Sequence, residues 1–149
     1  MKRMVTALVL AAAAPTAASA HEFVVYFGFD SAVVPEGHFT QSMLDAACHA
    51  VWGDTDVYVV ARADSAGPAA YNLALSERRA KAVADILVQA GVKRERITLR
   101  AVGETQPAVA TGDGVREPLN RSAYVNHGGP GLGAKTPPVP CGPNLTPRR

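Results

Sequence analysis

No stretch of this chain is long and apolar enough to span a bilayer; the longest apolar run, residues 4–20, falls short of the roughly 20 residues a span requires. An excess of one charge is lacking too. Fifteen Lys and Arg face 13 Asp and Glu, and Lys2 and Arg3 make up the whole difference. A balanced chain gives no support to nucleic-acid binding. Cysteine is limited to Cys48 and Cys141. Cys48 adjoins His49, but adjacent helix positions point about 100° apart and cannot form a nucleophile–base dyad. His21, His38, His49 and His127 sit in no metal-ligand spacing. No motif brings together a nucleophile, a base and oxyanion donors, so catalysis is not expected, and no cofactor is implied.

What is present begins with a leader. Lys2 and Arg3, an apolar run rich in Ala, Val and Leu, and Ala18-Ser19-Ala20 form a secretory signal with a small-residue cleavage site. Cleavage after Ala20 leaves a mature chain starting at His21 and free in the periplasm, because no cysteine near the cut offers a lipid attachment point. An amino-terminal histidine can chelate copper through its amine and ring, but it would need a second histidine close by.

The remaining pattern alternates strand and helix. Residues 23–29 read as a first strand, apolar on both sides and therefore expected to be central and covered. Residues 35–52 read as a first helix with Phe39, Met43, Ala46 and Ala50 on its core face. Residues 54–63 are a second strand and 71–90 a second helix, with Gly91 as its C-cap. A charged turn at 92–96 is read as a solvated face. Residues 97–102 are a third strand, with Ile97, Leu99 and Ala101 on one side; 111–118 are a polar loop, and 122–126 a fourth strand. From Gly128 onward, Gly128-Gly129-Pro130-Gly131 and Pro137-Pro138-Val139-Pro140 mark a tail too rich in Gly and Pro to pack. Cys48 falls on the solvent side of the first helix. Two cysteines in an exported chain form a natural pair, so a Cys48–Cys141 disulfide clipping the tail across that helix is expected, the alternative being that each pairs with another chain.

The chemistry gathers around residues 62–80. Asp64 stands where the second strand ends, and Gly67-Pro68 breaks the pattern before the helix. At about 100° per residue, Leu73, Ser76, Ala80, Val83, Ala84 and Leu87 share the expected core face. Arg78 points away from it, while Arg79 lies on the flank in line with Asn72 and Ile86, in reach of Asp64. A carboxylate and a guanidinium at one edge, with an amide between them, suit a ligand carrying its own ammonium and carboxylate. The alternative is an internal ion pair, Asp64 with Arg79 or with Arg62.

The segments Asp64-Ser65-Ala66-Gly67, Tyr71-Asn72 and Leu75-Ser76-Glu77-Arg78-Arg79-Ala80 resemble the signature of the OmpA-like C-terminal domain family. Phe27-Gly28-Phe29-Asp30, Gly103-Glu104-Thr105-Gln106-Pro107 and Asn120-Arg121 keep the family's order, and the resemblance covers residues 23 to 126. It implies an α/β (α+β) sandwich in the order βαβαββ, with helices packed on a mixed four-stranded sheet. The division is then a leader at 1–20, the domain at 21–127 and the tail at 128–149. The resemblance further implies non-covalent binding of peptidoglycan through the diaminopimelate residue of its stem peptide, in a periplasmic, cell-wall-associated protein.

On that reading Asp64 and Arg79 grip the ligand, Asn72 orients it, and Asp30 on the rim either helps hold the ammonium or serves as a turn residue. Arg121 touches the ligand or fixes its own loop. Two departures stand out: Ala63 where the family usually has Thr, and Ser122 after Arg121 where it commonly has a second Arg. They favour the alternative of an exported module that keeps the fold but binds a protein partner in the envelope. A single lost hydroxyl would weaken peptidoglycan binding by only about 0.5–1.5 kcal/mol.

Overall fold

The computed structural model describes residues 21–35 and 56–127. The expected leader, nearly all of the first helix, Cys48, Cys141, His38, His49 and the Gly/Pro-rich tail lie outside these residues.

Among the described residues four strands form one sheet: β1 (His21–Tyr26), β2 (Val57–Ala61), β3 (Ile97–Ala101) and β4 (Ser122–His127). A helix, α1 (Ala69–Gln89), joins β2 to β3. The sheet order is β1-β4-β2-β3. β2 and β3 run parallel, which requires a crossover such as α1, while β4 is antiparallel to both β1 and β2. The sheet is mixed, as expected, and its carboxyl-terminal edge at β2 and β3 opens toward the start of α1.

Residues alternate across the sheet because successive strand side chains point to opposite faces. Val57, Val59 and Ala61 of β2 and Ala123 and Val125 of β4 are buried under α1. The helix supplies Ala80, Val83, Ala84 and Leu87 to the same core. In one row Val25, Ala123, Ala61 and Ala101 are neighbours across the four strands. Small side chains in both layers let helix and sheet approach closely.

The helix ends as its sequence demands. Gly91 adopts φ 103°, which favours a residue without a Cβ. Its N–H donates to Val88 O at 2.9 Å and the Val92 N–H donates to Leu87 O at 3.0 Å, a paired C-terminal cap that turns Val92 into the core.

Three expectations are corrected. β1 is not central: among the described residues it pairs only with β4, and Val24 and Tyr26 are 37% and 41% exposed. Apolar residues on both faces suggest two covered faces, but Val24 and Tyr26 lie on the sheet face away from α1, where Tyr58 of the inner strand β2 is exposed as well. The helical core face holds Ser76, Ala80, Val83, Ala84 and Leu87 as expected, but differs from the expected one toward the start of the helix. Leu73 is 44% exposed, whereas Asn72, Leu75 and Arg79 are buried. Apolar periodicity cannot place a polar residue inside; here Asn72 and Arg79 are admitted because the fold supplies partners for them. Finally, the charges of the 92–96 turn are solvated as expected at Lys93, Arg94 and Glu95, but Arg96 is half-buried. Arg94–Arg96 forms a short 3-10 turn, with Arg94 at 3.8 Å from Asp85 and Arg96 at 3.2 Å from Asp56.

Candidate functional site

Beyond β2 the chain stays extended and is held from both sides. The Arg62 N–H donates to Ser122 O and the Ala63 N–H to Gly103 O, each at 2.8 Å. This places Asp64 at the sheet edge, 4% exposed. Its carboxylate pairs with Arg121, whose Nη1 lies 3.2 Å from Oδ2. Arg121 also donates through Nε to Phe27 O at 3.2 Å, and its own carbonyl accepts from the Phe27 N–H at 2.8 Å. One side chain thus ties the end of β1, the start of β4 and Asp64 together. Next to it, the Ser65 hydroxyl donates to Gly112 O at 2.7 Å and accepts from the Val115 N–H at 3.1 Å, pinning the polar loop over this corner.

Arg79 is wholly buried at 0% exposure. It donates through Nε to Ser31 O at 2.8 Å, through Nη1 to Arg62 O at 2.8 Å and through Nη2 to Gly28 O at 3.2 Å. Its guanidinium carbon lies 5.1 Å from the centre of the Phe27 ring. Burial draws its pKa down from the ordinary arginine value to about 10; the Asp64 carboxylate opposes that shift, and the neighbouring Arg121 and Arg78 add to it. It therefore remains a cation at neutral pH. Neither expected internal pair forms: Asp64 is held by Arg121, Arg79 by backbone carbonyls, and Arg62 donates through Nε to Gln106 O at 2.7 Å. Arg78 points outward as expected, 5.6 Å from the centre of the Tyr71 ring.

Asn72, one turn into α1, is 1% exposed. Its amide nitrogen donates to Glu104 Oε2 at 2.6 Å and to Gly67 O at 3.5 Å. Glu104 is brought there by Gly103, whose N–H donates to Ser76 Oγ at 3.0 Å. A Cβ on Gly103 would come within 3.2 Å of the Leu73 backbone, and its φ of 53° is left-handed, so this close approach needs glycine.

Above these groups lies an open cleft of about 320 Å3, lined among others by Asp30, Asp64, Gly67, Tyr71, Asn72 and Leu75. Asp30 sits in the left-handed region at φ 51° and accepts a hydrogen bond from the Tyr71 hydroxyl. That bond is the main reason the Tyr71 phenol pKa is raised. Phe29 on the rim carries the Arg116 guanidinium at 3.9 Å from its ring centre. Three of the four expected binding residues, Asp30, Asp64 and Asn72, thus share one cleft. Arg79 does not line it, but sits behind it as the cation that holds the Gly28–Ser31 turn against the end of β2. Of the two readings offered for Arg121, the structure shows its contacts with the loop backbone and a carboxylate. Sequence reasoning gave no role to Tyr71 or Glu104. Their position inside the matching motifs was the available signal, and their partners, Asp30 and Asn72, lie 41 and 32 residues away.

This chain matches known proteins over the same region. Over 100 residues it is 37% identical to outer membrane porin F of Pseudomonas fluorescens, a match covering 67% of this chain and 31% of the porin. Over 105 residues it is 39% identical to a peptidoglycan-associated lipoprotein of Pasteurella multocida, covering 68% of this chain and 67% of that protein. The crystal structure of the peptidoglycan-associated lipoprotein from Burkholderia pseudomallei superposes with a TM-score of 0.63 at 26% identity, over 70% of this chain and 89% of that one. The chain therefore spans about a third of the porin and two thirds of the lipoprotein it matches. With residues 26–121 matching the family as a whole, the chain belongs to the OmpA family.

Proposed function

We propose that this protein binds peptidoglycan non-covalently in the cell envelope, taking hold of the free amino-acid head of diaminopimelate in the stem peptide. The observation that carries the reading is the convergence of Asp30, Asp64 and Asn72 on one cleft with the Arg79 guanidinium behind it. Diaminopimelate keeps an ammonium and a carboxylate on one carbon. Asp64, assisted by Asp30, holds the ammonium, and Asn72 orients the head. Arg79, buried behind the cleft with three of its five N–H donors engaged by carbonyls, draws the ligand carboxylate through its charge. Relatives named for their association with peptidoglycan support the ligand class. Export by the residue 1–20 leader would put the protein in the periplasm with His21 as its amino terminus, and the intact mass of the secreted form tests that step.

Co-sedimentation with purified sacculi tests the function. Diaminopimelate-type sacculi should pull the protein down. Lysine-type sacculi should do so poorly, because the lysine side chain offers no carboxylate to Arg79. Equal sedimentation with both would remove diaminopimelate from the account, and none with either would remove peptidoglycan.

A further inference from the structure

We infer that Glu104 is a positioning residue of the cleft: it turns the Asn72 carboxamide so that its oxygen, not its NH2 group, faces the ligand, and this makes the cleft selective for an ammonium. The inference rests on the peptidoglycan reading only for the identity of the ligand.

An Asn side chain presents one acceptor and two N–H donors from nearly interchangeable positions, and its neighbours decide which way it turns. Around Asn72 the choice is forced. Glu104 Oε2 at 2.6 Å and Gly67 O at 3.5 Å are both acceptors, so the nitrogen must face them. The carboxylate bond is the stronger of the two, being short and charge-assisted. One N–H is then engaged by Glu104 and the other faces Gly67 O at a longer distance, while Oδ1 has no hydrogen-bond partner among the described residues and lies beside Gly67, 4.0 Å from where a Cβ there would stand, at the cleft both residues line.

The other polar side chains lining the cleft point to the same conclusion. Asp64 and Asp30 offer carboxylate oxygens, and the Tyr71 hydroxyl already donates to Asp30. No lining side chain is left with a free N–H, so the lining presents acceptors. Side chains that offer only acceptors suit a group that is all donor, which is what an ammonium is. Turning Asn72 over would put two donors into the cleft.

Glu104 is held firmly enough to do this. The turn that carries it is bonded at Gly103 N–H to Ser76, at Gly103 O by the Ala63 N–H, and at Thr105, whose N–H and hydroxyl both donate to Val102 O. Glu104 lies on the opposite side of Asn72 from the ligand, facing a second depression lined by Leu73 and Arg100. It acts through Asn72 without touching the ligand.

Two measurements on the full chain decide the matter. The first needs no ligand: the Asn72 side-chain amide protons, followed by NMR. In the native protein one proton should be strongly deshielded by the carboxylate and slow to exchange. Glu104→Ala should abolish this, and Glu104→Gln, which still offers an acceptor, should preserve most of it. An Asn72 amide that is unchanged in Glu104→Ala overturns the inference.

The second is titration with a soluble stem peptide ending in diaminopimelate, beside the same peptide with the diaminopimelate amine acetylated. Glu104→Ala should bind the free-amine peptide about ten-fold more weakly. Glu104→Gln should stay within about three-fold of the native protein. All three should bind the acetylated peptide equally weakly, a pattern that general loosening of the fold would not produce. Glu104→Asp keeps the charge but withdraws it by one methylene, so it should resemble Glu104→Ala and serves if the alanine variant folds poorly. A Glu104→Ala protein that binds the free amine as tightly as the native one overturns the inference while leaving peptidoglycan binding intact. If the native protein ignores both peptides, the functional reading fails, and the amide resonances alone then decide the role of Glu104.

Discussion

At the scale of single residues, the buried guanidinium of Arg79 organises the corner. It satisfies three backbone carbonyls from two segments, and a planar fork is the side chain suited to that task. Arg79→Ala would leave those acceptors unpaired in a closed space and should lower stability by roughly 2–4 kcal/mol, with Arg79→Lys recovering only part of the loss. Arg78→Ala, on the exposed side, should stay within about 0.5 kcal/mol of the native protein; urea denaturation compares all three. Because the folded-state pKa of Arg79 is lowered, the charged form is disfavoured on folding. That penalty is constant below about pH 10 and is relieved only above it, so Arg79 gives no pH dependence near neutrality. Tyr71 behaves differently. Its raised pKa comes first from the bond to Asp30, which favours the neutral phenol in the folded state, so this contribution is present below pH 10 and fades as pH rises beyond it. In a spectrophotometric titration, Asp30→Asn should return one tyrosine toward its ordinary value. That Asp64 and Arg79 belong to one corner was legible in the sequence, since both lie in a single short stretch. Their partners were not. Arg121 is 57 residues from Asp64 and Ser31 is 48 from Arg79, distances at which helical spacing carries no information.

At the scale of elements, α1 and its two flanking turns decide how the cleft is presented. The helix was legible in extent because its ends carry strong local chemistry, Gly67-Pro68 before it and Gly91 after it. Its orientation was legible at Ser76, Ala80, Val83, Ala84 and Leu87, all buried as expected, but not where Asn72 and Arg79 are buried and Leu73 is exposed. β1 shows the converse difficulty: an apolar strand reads as covered whether or not its second face is, because nothing in its own sequence reports how many neighbours it has. The Gly103 turn joins β3 to the helix by close contact, and this yields a paired prediction. Gly114 has φ 74° with nothing near its missing Cβ, so Gly114→Ala should cost about 1 kcal/mol through backbone strain alone. Gly103→Ala meets the same strain and also a backbone 3.2 Å away, and should cost roughly twice that or more. Thermal melts of the two variants make the comparison. Equal losses would mean that the approach of the turn to α1 is not tight.

At the scale of the whole molecule, the topology explains why chemistry collects at this edge. The parallel pair β2 and β3 delivers Asp64 and Gly103-Glu104 side by side, the crossover returns Asn72 and Arg79 between them, and the antiparallel strands β1 and β4 bring Asp30 and Arg121 to the same end. Five separate segments meet there, and no single one could hold an amino-acid head. Among the described residues, four strands with one helix between the second and third were readable from alternating periodicities, because element type is a local property, and the mixed sheet was implied by the family motifs. The sheet order β1-β4-β2-β3 is a long-range property. The central claim is that Asp64 binds the ammonium of diaminopimelate directly, and calorimetric titration of a soluble diaminopimelate-terminated stem peptide into native and Asp64→Asn protein tests it most directly. With the variant shown by its melting curve to be folded at the titration temperature, the account predicts a ten- to hundred-fold loss of affinity, the scale of one charge-assisted bond of about 1.5–3 kcal/mol. A folded Asp64→Asn protein that binds the peptide as tightly as the native one would contradict it.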